Sequence, residues 1–404
     1  MGTTAISTHA KPGLNGKPAS AAQLQPPSLF NSFWIAGFES ACHLNSAGQR
    51  LDMIAVTQHD VQAVEDYALL TSVGIRTARD VVRWHLIDKG GRYDFSPLTP
   101  LADAADRAGV QVIWNLCHYG WPDGLDLFSA EFVERYARYS RAVARYFADR
   151  SDLVPFYAPV NEISFFAWAA ERPILYPFAT GRGDEIKKQL VRAAIAGMEA
   201  IWEVDRRARF VHGDPIIHVI PPRDRPDLAG AAAIQRAAQF SAWDTLAGIE
   251  NPEVGGDPRY LDIVGTNWYH ANEWECPDIR LRWEDEPRDE RWLPLHLLLK
   301  EVWDRYRRPI FMAETSHFGA GRARWIREIA AEICAARGIG VPIEGVCLYP
   351  ILDRPDWEDT SHWHNSGLWD LVPDGENRLV RVLNPEYAHE FAAARESLAK
   401  LQCR

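Results

Sequence analysis

The sequence predicts a (β/α)8 barrel of the TIM type with elaborated βα loops, on three observations. Short apolar runs alternate with longer segments of helical period. The runs number eight, and many are continuously apolar, as in a parallel sheet buried on both faces. Several end on polar residues, where barrels of this class carry their sites. A chain of 404 residues fits one such barrel with insertions, and no second domain or internal repeat is needed.

The runs are "FWIAGFE" (33–39), "GIRTARDVV" (74–82), "VQVIWNLCHY" (110–119), "VPFYAPVNE" (154–162), "RFVHGDPIIHVI" (209–220), "LDIVGTNWY" (261–269), "RPIFMAE" (308–314) and "IEGVCLYP" (343–350). Between them lie helix candidates. "DVQAVEDYALLTSVG" ends at Gly74 and "PLTPLADAADRAG" at Gly109, both plausible C-terminal caps. "AEFVERYARYSRAVARYFADR" carries apolar residues three and four apart and so a buried stripe. "GDEIKKQLVRAAIAGMEAIWEVDRRAR" reads as a long exterior helix with a solvated charged face, and "WEDEPRDERW" (283–292) as a charged surface loop.

Residues 1–28 are rich in small residues, Gly and Pro and lack the apolar core of a secretory signal. They are expected to form a flexible tail ahead of a barrel over 29–404, in a cytoplasmic protein. No apolar stretch reaches the roughly 18–20 residues of a membrane span. The net charge of −11 argues against a nucleic-acid partner. None of the six cysteines forms a C-x-x-C pair, so buried thiols are expected. Sixteen tryptophans suit both a large core and a sugar site, where indole faces pack on pyranose C–H faces.

The polar residues at the strand tips are Glu39 and His43, Arg79 and Asp80, His118, Asn161 and Glu162, Asn267 and Tyr269, Glu314, and Tyr349 and Asp353. Of these, Glu162 and Glu314 are glutamates at the tips of the fourth and seventh strands, which face each other across the barrel. Carboxylates about 5–5.5 Å apart suit a retaining glycosidase, one as acid/base and one as nucleophile. Glu162 has to stay protonated, which burial and a second negative charge favour. Glu314 has to stay ionised, with Arg79 and Tyr269 as candidate supports. Two such tips together leave little room for a purely structural pair of salt-bridged acids. A metal-dependent barrel would need a ligand cluster at the tips, and none is evident. His362 and His364 form an H-x-H without a third or fourth ligand nearby. No metal and no cofactor are expected.

At these positions the chain resembles glycoside hydrolase family 1, the retaining β-glycosidases of a large (β/α)8 clan. The Thr-x-Asn-Glu-Pro motif of that family reads "PVNEI", with Ile163 where Pro is usual, and Thr-Glu-Asn-Gly reads "AETSH" around Glu314. "HYGWP" keeps His118 and Pro122 of His-Trp-Asp-x-Pro, and "NWY" keeps Asn267 and Tyr269 of Asn-Tyr-Tyr. Arg79 in "ARDV" matches the strand-two Arg. "FWIAGFESACH" matches the first strand, with His43 for a sugar-binding Gln. "YPILDRPDW" places Tyr349 for the first Trp of the eighth-strand motif, Asp356 for its Glu, and keeps Trp357; "HNSGLWDLV" resembles the segment that follows.

The likeness spans roughly residues 30–395, in the family's order. It implies a β-glucosidase-like enzyme acting on a carbohydrate, with Glu162 as acid/base and Glu314 as nucleophile. Asn161 would meet the sugar 2-hydroxyl, and His43, His118, Asp356 and Trp357 would hold the sugar. The same pair serves transfer to an alcohol acceptor. A noncatalytic sugar-binding barrel would need neither glutamate. The eighth loop offers Ser361 but no Lys, which disfavours a phosphorylated sugar.

Overall fold

The computed structural model describes residues 29–172 and 174–402. The expected tail over 1–28 lies outside them. In chain order the strands are β1 Trp34–Gly37, β2 Thr77–Val81, β3 Gln111–Asn115, β4 Phe156–Ala158, β5 Arg209–Pro215, β6 His218–Ile220, β7 Ile263–Asn267, β8 Glu273–Glu275, β9 Ile279–Arg280, β10 Ile310–Thr315, β11 Ile343–Leu348, β12 Trp369–Pro373 and β13 Leu379–Leu383. β1, β2, β3, β4, β5, β7, β10 and β11 close an all-parallel barrel, each from one of the eight runs. The fifth run divides: its second half is β6, which joins β8 and β9 in a small sheet outside the barrel.

Side chains alternate across each strand. The inward set includes Ile35, Ile113, Phe156, Val211, Ile263 and Phe311. Phe30, just before β1, packs its ring 5.0 Å from Phe311 and 5.9 Å from Phe156, closing the N-terminal end of the barrel. The larger core lies between barrel and helices. Trp84, Trp243 and Trp325 are fully buried there, so much of the tryptophan excess fills volume.

The expected helices form at His59–Ser72, Thr99–Ala108, Ala130–Ala148 and Gly183–Trp202. Gly109 caps the second with φ +63, a backbone that Gly adopts without strain. Ser129 caps the third by accepting from Phe132 N–H at 3.2 Å. Cys42, Cys117, Cys276 and Cys347 are buried free thiols, and Cys334 is a half-buried one. Among the described residues no helix is long and apolar enough to cross a membrane.

A buried charge cluster ties the helix His59–Ser72 to β2 and to the β12–β13 hairpin. His59 bridges Asp66 at 2.8 Å and Asp80 at 3.1 Å, and Tyr67 donates to Asp80 at 2.9 Å. Arg381, on β13, closes the cluster on Asp66 at 2.6 and 2.9 Å. Burial opposes a charge on His59, but the charges of Asp80 and Asp66 outweigh it and hold the imidazolium up to about 9.

Candidate active site

Arg79 organises the C-terminal end of the barrel. Its neighbour Asp80 points out to the helices, so Arg79 points in. Its Nη1 donates to Glu314 Oε1 at 2.9 Å and to Ala313 O at 2.6 Å, and its Nη2 to Asn161 Oδ1 at 2.6 Å. One buried guanidinium thereby links β2, β4 and β10. Tyr269 O–H donates to the other oxygen of Glu314 at 2.8 Å. Glu314 therefore has one cationic and one neutral donor, one on each oxygen.

Glu162 is placed differently. It follows β4 in the left-handed region, φ +45, and is the N-cap of the helix Ile163–Ala170. Its N–H donates to Gly213 O at 3.0 Å, and its carbonyl accepts from Phe166 N–H at 2.8 Å. Asp214, pointing outward from β5, accepts from Ser164 N–H at 3.0 and 3.1 Å and so caps the same helix. Ile163 is the first helical residue, where Pro is merely favoured, so its side chain costs this turn nothing.

The Glu162 carboxylate accepts from Asn267 Nδ2 at 2.8 Å and from Tyr119 O–H. Both donors are neutral. Burial, then the charge of Glu314, push its pKa up to about 8 against those hydrogen bonds. Tyr119, with φ +65, is a second non-glycine residue in the left-handed region here. Its hydroxyl also accepts from Asn161 Nδ2 at 3.3 Å, and Asn161 Nδ2 lies 3.2 Å from His118 Nε2.

An aromatic and imidazole wall continues from there. His118 lies 4.6 Å from Tyr119 and 6.0 Å from Tyr349, ring to ring. Tyr119 lies 5.8 Å from Trp357, and Trp357 lies 4.8 Å from His43. Burial, with nearby arginines, lowers His43 to about 4 and takes His118 well below 6.5. Both are neutral at pH 7. A neutral imidazole offers one donor and one acceptor. Trp357 Nε1, His118 Nδ1 and Asn267 Oδ1 are buried without a hydrogen-bond partner in the protein. Such atoms are costly unless a polar ligand meets them.

Ten of the eleven residues expected from the sequence share this contact network. Asp356 stands at its edge. Its Oδ1 accepts from Glu358 N–H at 2.8 Å and Asp359 N–H at 3.1 Å, and its Oδ2 lies 3.3 Å from His364 Nε2. That carboxylate is engaged by its own loop.

Comparison with known proteins adds the fold. The chain superposes on a β-glucosidase from Thermotoga maritima in complex with methoxycarbonyl-substituted glucoimidazole, at TM-score 0.68 and 15% identity over 92% of this chain and 98% of the other. The same source's β-glucosidase with glucoimidazole, and the structure described as a family 1 β-glucosidase, match at TM-score 0.66 and 16% identity over 84% and 87%. The chain has the fold of a family 1 β-glucosidase. No family model matches the sequence, and no curated protein does.

Two residues of the network were given no role from the sequence: Tyr119 was not named, and Glu39 was named only as a strand-tip residue. Tyr119 sits in "HYGWP", where only His118 and Pro122 carry the likeness. Glu39 ends the first run and is buried. It pairs with Arg354 at 3.1 Å and accepts from Ala41 N–H at 3.1 Å and Tyr349 O–H at 3.3 Å. Burial raises its pKa, partly offset by Arg354. Tyr349 itself needs Gly37: a Cβ there would come 2.1 Å from its ring.

The expectation that no ligand cluster lies at the strand tips needs correcting. His270, Glu284 and His317 converge beyond β7 and β10. They come from three separate loops, so sequence spacing does not join them.

Proposed function

We propose that the protein is a retaining β-glycoside hydrolase acting on a β-linked, glucoside-like sugar. The observation that carries this is the contrast between two neighbouring glutamates at one end of the barrel. Glu162 has neutral donors, and a pKa of about 8 keeps it protonated at neutral pH. Glu314 has an arginine. One environment suits a general acid and the other an ionised nucleophile.

In the first step Glu162 protonates the glycosidic oxygen while Glu314 Oε attacks the anomeric carbon. The aglycone leaves as an alcohol and the sugar is held as an ester of Glu314. In the second step Glu162, now a carboxylate, takes a proton from water. The water oxygen displaces Glu314, and the anomeric configuration is retained. Asn161, held by Arg79 and His118, meets the 2-hydroxyl in this reading. Trp357, His43 and His118 supply the ring face and hydroxyl partners for the sugar.

The test is a panel of aryl β-glycosides differing in sugar, with the unaltered chain and Glu314→Ala. The expected result is turnover of at least one β-glycoside and its loss in the variant. Azide should restore release of the aryl group from Glu314→Ala, with a glycosyl azide of inverted configuration. Undiminished turnover in that variant would overturn the assignment. Binding of a sugar without any cleavage would instead make this a sugar-binding barrel.

A further inference from the structure

Two histidines and a glutamate meet beside the candidate nucleophile without touching it. His270 follows Tyr269 in the chain, His317 comes three residues after Glu314, and Glu284 comes from the charged loop 283–292. A ligand atom from each lies within 4.8 Å of the other two. The imidazole centroids are 4.4 Å apart, and His317 Nε2 is 3.7 Å from Glu284 Oε1. A tetrahedral zinc ion with bonds of about 2.0–2.1 Å sets its ligand atoms about 3.4 Å apart. The His317–Glu284 edge nearly has that length, and side-chain rotation can close the others.

The surroundings favour a ligand over a packed pair. His270 is 7% exposed and His317 8%. His270 Nδ1 and His317 Nε2 have no hydrogen-bond partner in the protein. At 3.7 Å, Glu284 is too far from Nε2 to serve as one. His317 Nδ1 lies 3.1 Å from Phe318 O, so an Nδ1–H can donate there and leave the Nε2 lone pair facing Glu284. That carbonyl contact is the usual outer support of a metal-bound histidine. Phe318 N–H also reaches Nδ1, at 2.8 Å, and favours the opposite tautomer until an ion arrives.

The His317 ring is held in place: Trp283 lies 4.7 Å away and Trp325 5.6 Å, and a Cβ on Gly321 would come 2.3 Å from Nδ1. Arg280 grips both Glu284 oxygens at 2.6 Å. A carboxylate has about four lone-pair positions, so this leaves room for a metal bond. Glu284 is half-buried, which gives an ion a way in.

We propose that His270, Glu284 and His317 form a three-ligand site for a divalent transition-metal ion, with zinc the best match. Two neutral nitrogens and one carboxylate suit zinc and exclude the all-oxygen shells of calcium and magnesium. The fourth position is left for water. The ion would join the loops after β7 and β10, the strands whose ends carry Tyr269 and Glu314. The site stands whether or not the glutamate pair is catalytic.

The test uses the full chain, stripped with a chelator and titrated with Zn2+ against a chromophoric competitor. One zinc per chain is expected. His270→Ala and His317→Ala should each weaken it by about 100-fold or more, and Gly321→Ala, which keeps every ligand, by a smaller factor. His389→Ala, at an exposed histidine, should leave it unchanged. Absence of stoichiometric zinc in the unaltered chain, or equal affinity in both histidine variants, would overturn the proposal. Should those variants misfold, Co2+ on the unaltered chain decides. Visible bands of a four-coordinate ion at one equivalent support the site, and their absence refutes it.

Discussion

Tyr119 shows how a single hydroxyl can set a working pH. Its O–H donates to the Glu162 carboxylate and so favours the charged form. Removing it raises the pKa of Glu162 above its value of about 8. A general acid is active when protonated, so kcat/KM for an aryl β-glycoside should fall as pH rises through that value. In Tyr119→Phe that alkaline limb should move to higher pH, as a pH–rate profile would show; an unmoved limb would mean that Glu162 is not the acid.

The two glutamates were legible as the polar ends of apolar strands. Tyr119 was not, because a positive φ turns it towards Glu162 and periodicity carries no trace of that. Asp356 teaches the opposite. Its place in the motif pointed to sugar, while "DWED" already spelled an acid able to bond the backbone two residues on.

At the level of elements, the turn from β4 into the helix Ile163–Ala170 sets where Glu162 points. Asp214 reaches over from β5 to hold it, and burial raises that carboxyl to about 7 even though Ser164 bonds it. Asp214→Ala should cost about 0.5–2 kcal/mol of stability through the lost cap, measured by denaturant unfolding. It should also lower kcat more than it changes KM, because the acid is displaced and the sugar contacts remain. All eight barrel strands could be read from apolar runs. The division of the fifth run could not. β6 leaves the barrel to pair with β8, and such a partner is not encoded in the run itself.

For the molecule as a whole, the charge cluster around Asp66 is the tie between distant parts of the chain. Arg381 lies 315 residues from Asp66. Arg381→Leu would leave the buried Asp66 with His59 as its one remaining charged partner, and a loss of about 3–5 kcal/mol is expected, readable as a lowered unfolding midpoint. A midpoint within about 1 °C of the unaltered chain would show that the cluster reorganises without it.

The aromatic wall beside the glutamates has a similar span. Ser40 N–H donates to Tyr349 O–H across 309 residues, beside the pairing of β1 with β11. A ribosome emits the chain from one end, so β1 waits until every other barrel strand has been made before its last neighbour arrives. Until then the sheet is open between β1 and β11. A nascent chain of this protein exposes two unpaired strand edges for the longest time the topology allows. That interval is when it would most need a chaperone.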